Sequence, residues 1–74
     1  MKLILKRSFK VLDGFEQCQL RDKTTVLAAD EYEVERIDNP YPKGESKFIV
    51  LKGKKIGACE NFWRLFPDEA TIEE

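Results

Sequence analysis

From Lys2 to Val11 the odd positions carry Leu3, Leu5, Arg7, Phe9 and Val11, while the even ones are mainly Lys2, Lys6, Ser8 and Lys10. A period of two predicts one half-buried strand. Asp13-Gly14 then supplies a two-residue type I′ hairpin signal, because both central positions of that turn need positive φ. The resulting register sets Phe9 opposite Cys18 and Arg7 opposite Leu20, with Phe9, Cys18 and Leu20 sharing one face. Thr24 to Leu27 reads as a short strand. Residues 28–31 read as a turn, since Tyr32, Val34 and Ile37 follow in near-alternation and a helix would have only two turns before Pro40. Pro40 and Pro42 make 38–46 the longest loop, with Tyr41 exposed between them.

The densest apolar pattern runs from Lys47 to Phe66. Phe48 to Leu51 is an unbroken run of β-formers, and Gly53-Lys54 predicts a tight reversal with Gly at the first central position and Leu51 opposite Ile56. Past Gly57 the alternation stops, and Phe62 and Phe66 recur four residues apart, the spacing of a helical turn over 59–66. Two versions of this turn stay open: in the favoured one Phe62 and Phe66 point inward and Trp63 lies across the outside, because positions four apart share a helical face, and in the other Trp63 fills the interior and Phe62 is partly exposed. Pro67 ends the helical pattern, and Ala70 to Ile72 predicts a last strand. Taken together, residues 1–74 read as a single, mostly β domain, a small antiparallel barrel of five to six strands with one short helical turn near residues 59–66.

The order of strand, hairpin, helical turn and strand resembles the Src-homology-three type of barrel. Gly57-Ala58-Cys59-Glu60-Asn61-Phe62-Trp63 is similar to that family's closing Gly-x-x-Pro-x-Asn-Tyr-Val signature, and Leu27 to Val34 resembles its turn into the central strand. The chain departs from the pattern with Cys59 in place of proline, Phe62 in place of tyrosine, and no tryptophan after the strand ending near Ile37. Because the family builds its polyproline-binding groove from those aromatic positions, the resemblance implies a barrel and leaves its ligand open.

Charge changes this picture by being segregated. The sum is only −1, yet residues 1–10 carry four positive charges and no acid, 30–38 five acids against Arg36, 43–55 five lysines against Glu45, and 60–74 five acids against Arg64. Blocks of opposite sign on neighbouring strands would face one another. A near-neutral sum disfavours a general polyanion binder. The opening MKLILKRSFK has no apolar run long enough for a signal peptide or a membrane span, so the reading is a soluble, cytoplasmic protein with no membrane association.

Chemistry is sparse. With no histidine and two cysteines, the chain lacks the common zinc frameworks and a histidine base, and it has no phosphate-binding glycine loop. No catalytic residue, metal or cofactor is expected. Cys18 and Cys59 read as reduced thiols, and Asp30, Glu31, Glu33 and Glu35 as a solvated acidic edge. Binding is the better-supported class: Tyr41, held between prolines, and Lys47, Lys52, Lys54 and Lys55 are the candidate contact residues. A protein–protein interaction or accessory module, of the kind a free-standing bacterial or phage accessory protein provides, ranks first, its partner unidentified and its oligomeric state open. A nucleic-acid-binding barrel using the basic 47–55 hairpin ranks second.

Overall fold

The computed structural model describes residues 1–14, 23–40 and 46–74. Among these residues seven strands follow in order, β1 (Lys2–Leu5), β2 (Phe9–Asp13), β3 (Lys23–Leu27), β4 (Glu31–Ile37), β5 (Phe48–Leu51), β6 (Ile56–Cys59) and β7 (Ala70–Glu73), with one helix, α1 (Glu60–Arg64), between the last two. They form one antiparallel sheet in the order β3-β2-β6-β5-β4-β1-β7. The mostly β reading holds. The expected five- to six-stranded barrel does not, because the described residues form seven strands in an unclosed sheet, and among them the end strands β3 and β7 are not paired with each other.

The extra strand comes from a break in the expected strand 2–11. Continuing the alternation would have driven the Arg7 guanidinium into the core, where an unpaired charge is costly. Instead the chain bends over residues 6–8, and Arg7 turns outward to donate from Nε to Glu69 Oε2 at 2.5 Å, its guanidinium 3.9 Å from the centroid of the Phe9 ring. The two halves then join different parts of the sheet. β1 pairs with β4 and β7, while β2 pairs with β3 and β6.

That split forces curvature. β1 and β2 lie four strand spacings apart, roughly 19 Å in a flat sheet at ~4.8 Å each. Leu5 and Phe9 are joined by a connection that reaches at most about 14 Å. The sheet must therefore curl until its halves face each other, and residues from both, Leu3, Leu5, Phe9, Val11, Leu27, Val34, Ile49, Ala58 and Ala70, meet Trp63 of α1 in one buried core. Curling without closure leaves two edges instead of a barrel seam.

Local signals explain most elements. β5 and β6 pair in the expected register, Val50 opposite Gly57 and Ile49 opposite Ala58. Their loop is longer than the two-residue reversal: the Lys54 N–H donates to Leu51 O at 2.9 Å, which sets Gly53 (φ 76°) at the third position of the turn, not at its first central one. Gly14 does take positive φ (75°), but β2 pairs with β3, with Phe9 opposite Leu27 and not Cys18. Cys18 lies outside the described residues.

The helical turn is shorter than the expected 59–66: Cys59 is its N-cap and Leu65 its C-cap. Its orientation is that of the second version and not of the favoured one. Trp63 is 1% exposed and in the core, whereas Phe62 and Phe66 are half-buried beside it. Phe9 accounts for this, since its ring receives Trp63 edge-on at 5.4 Å, Phe66 at 5.1 Å and Phe62 at 6.2 Å. The indole, the largest side chain of α1, thereby packs into the main core between the two halves of the curled sheet.

Candidate functional site

The expected contact residues are dispersed. Lys47 sits just before β5 and is ion-paired with Asp38, while Lys52, Lys54 and Lys55 occupy the turn after it. Five residues of extended chain separate Lys47 from Lys52, about 16 Å. The three turn lysines are exposed and have no ion pair among the described residues. Beside them Glu35 Oε2 accepts a hydrogen bond from the Gly53 N–H at 3.3 Å. The Gly14 N–H donates to Lys55 O at 2.6 Å, which holds the end of β2 against this turn, and Lys23 pairs with Asp13 in register. The fold thereby adds Lys23 to the basic end, a residue that the sequence reading did not single out. Tyr41 lies outside the described residues.

Next to this end is an apolar groove of about 330 Å³, lined by Lys10, Val11, Leu12, Thr24, Phe48, Ala58, Cys59 and Phe62. It exists because Phe48 and Leu12 belong to the face of the sheet opposite the main core. There Phe48 and Val50 form a second buried cluster with Leu12, Ile37 and Cys59 packed against it. β5 is consequently buried on both faces, as its unbroken apolar run requires. The groove borders β3, whose only partner among the described residues is β2, and Val26 on that edge strand is 62% exposed. The Cys59 thiol is half-buried in this wall.

A second concavity, about 370 Å³, lies between α1 and β7, lined by Arg36, Glu60, Trp63, Arg64, Pro67, Ala70, Thr71, Ile72 and Glu74. Arg36 shares the face parity of Tyr32 and Val34 but lies beyond the core, so its guanidinium reaches α1. Its Nε and one terminal nitrogen donate to the two Glu60 oxygens, each at 3.1 Å, and its other terminal nitrogen is 2.6 Å from Glu74 Oε1. Arg64 adds a 3.0 Å contact to Glu60 from four residues on. The hydrogen bonds donated by Arg36 hold the Glu60 carboxyl below the usual carboxylate range, and their acceptance by Glu60 and then by Glu74 raises the Arg36 guanidinium. Sequence reasoning missed this network. The acids of 60–74 and the lone arginines were visible as charge blocks, but their convergence depends on strand order.

Among the described residues no three or more His, Cys, Asp or Glu side chains are placed to hold a metal ion, and no helix is long and apolar enough to cross a membrane. No protein family, curated protein or solved structure matches the chain.

Proposed function

We propose that this protein is a non-enzymatic binding module that takes up an extended segment of a partner protein along the β3 edge and across the adjoining groove. The observation that supports this best is the exposed Val26 on an edge strand next to an apolar trough. An unpaired edge offers main-chain donors and acceptors to an added strand, and a neighbouring pocket can take alternate side chains. Lys10 on the groove and the lysines at 23, 52, 54 and 55 favour a segment carrying acidic residues. Cys59 and Phe62, the positions at which the Src-homology-three type has proline and tyrosine, both line this groove, which favours peptide recognition over a purely structural barrel wall.

The test is selection of displayed peptides against the protein, followed by affinity measurement against Val26→Lys. Apolar peptides with acidic residues should emerge and should lose about tenfold or more in affinity to this variant, because a charge on an edge strand opposes strand addition. Selected peptides indifferent to Val26→Lys would remove the β3 edge from the reading. Oligonucleotide binding that falls steeply with salt and is lost on replacing Lys52, Lys54 and Lys55 would favour the nucleic-acid reading instead.

A further inference from the structure

The cleft between α1 and β7 holds an unequal distribution of charge. Arg36 and Arg64 both reach Glu60, whose side chain is only 13% exposed, so two guanidiniums share one sequestered carboxylate. The excess positive charge is met by Glu74, whose side chain is 67% exposed and which follows the end of β7. These two carboxylates differ in kind. Glu60 is gripped through both oxygens by one planar fork and braced by a second arginine, whereas Glu74 makes a single contact at the mouth. An exposed pair of that sort contributes only about 0–1 kcal/mol and is easily exchanged.

Beside the arginines the cleft has a small apolar wall, of which Pro67 and Ile72 are the accessible part and Trp63 and Ala70 lie buried beneath. Trp63, Pro67, Ala70 and Ile72 form its wall, with the Thr71 side chain beside them. Trp63 lines the cleft although it is 1% exposed, and its Nε1 hydrogen has no acceptor among the described residues. A guanidinium edge next to an aliphatic and aromatic wall is an arrangement that recognises a carboxylate attached to a short apolar body.

We propose that the α1–β7 cleft is a carboxylate-binding site, whose place the Glu74 side chain fills in the unbound chain. Arg36 presents the terminal nitrogen not used by Glu60, Arg64 supplies the second positive charge, and the Pro67 and Ile72 wall, with Trp63 buried directly behind it, takes the body of the ligand. The carboxylate can belong to an acidic side chain or to the end of a polypeptide, since both present the same two oxygens. This cleft shares no lining residue with the groove beside β3, so a peptide that binds at Val26 leaves this inference untouched, and the failure of either is read separately.

Trp63 is the chain's one tryptophan, so its emission reports on the cleft directly. The protein is titrated at constant ionic strength with N-acetylglutamate α-amide, with N-acetylleucine and with the neutral N-acetylglutamine α-amide. A saturable change in Trp63 emission is expected from at least one of the two carboxylates and none from the neutral probe; the tighter carboxylate identifies the source. Glu74→Gln should tighten that binding about two- to fivefold, the equivalent of an exposed ion pair released. Arg36→Lys keeps the charge but loses the fork, and should weaken it about tenfold, with folding checked by circular dichroism. A flat response to both carboxylates in the wild type and in Glu74→Gln overturns the proposal. So does an equal response to the neutral probe, or an affinity that Glu74→Gln leaves unchanged.

Discussion

Gly57 and Trp63 are the residues whose roles the curled sheet decides. A Cβ at Gly57 would fall onto the Ile49 carbonyl oxygen and within 2.7 Å of the Val50 Cα, both backbone atoms that cannot step aside without moving β5. Gly57→Ala should therefore cost at least about 1–3 kcal/mol in urea denaturation, the range for overpacking, although alanine is the smallest possible addition. A stability equal to wild type would show that β6 can shift away. At Trp63 the buried indole sets the balance between volume and an unpaired donor. Trp63→Ala should cost on the order of 3–5 kcal/mol, a large part of what a domain of this size has. Trp63→Phe removes the unpartnered N–H as well as some volume, and its melting temperature should lie much nearer to wild type. Equal losses for the two substitutions would mean that the indole nitrogen is satisfied in solution.

Between elements, the ties that matter join α1 to the strands around it. The Ala70 N–H donates to Phe66 O at 2.8 Å and leads the chain from α1 into β7, while the Glu60–Arg36 pair anchors the other side of α1 on β4. Glu60 makes this second tie pH-dependent. Its folded-state pKa is depressed relative to the unfolded chain, so its contribution is fully present above the ordinary glutamate range and is lost as pH falls through the folded value. Stability measured from pH 7 downward should begin to decline near pH 4.5, the ordinary glutamate value, and Glu60→Gln should flatten part of that decline. An unchanged slope in Glu60→Gln would assign the acid sensitivity to other carboxylates. Pairing also ranks the strands. β5 is bonded on both sides and buried on both faces, whereas β3 is an edge, so hydrogen exchange should be slowest at Ile49 and Val50 and fast along β3. Equal protection of β3 would mean that its edge is covered in solution.

For the whole molecule, the consequence of curling without closure is that one small chain has two ends of different character. One is the β3 edge with Val26 and the nearby lysines; the other is the β7 side with the Arg36, Glu60, Arg64 and Glu74 network. A closed barrel would have joined these edges and offered neither. Their charge differs as well, since the basic turn lacks ion-pair partners among the described residues while the arginines of the cleft are already engaged. Separate contacts at the two ends are therefore compatible with one fold. Under the proposed binding function, the two ends would act as separate contact surfaces.

What the sequence determined by itself were the features that depend on near neighbours. The β5–β6 register followed from an apolar run and a glycine turn, β4 from the alternation of Tyr32 and Val34, β7 from its apolar residues after Pro67, and the position of α1 from the break in period past Gly57. Each rests on interactions within a few residues, where propensity and turn geometry dominate. Tertiary structure alone decided the break at Arg7, the partner of β2, the inward turn of Trp63 and the cleft around Arg36. In all four the deciding contact spans a long stretch of chain: Arg7 with Glu69, Phe9 with Leu27, Phe9 with Trp63, and Arg36 with Glu60. Helical periodicity orders the faces of α1 but not which one the core will accept. Arg7 occupies a position that alternation marks as inward, and only the cost of burying its charge, set against the neighbouring Phe9 ring and a carboxylate and an aromatic ring brought up from residues 66–69, turns it outward.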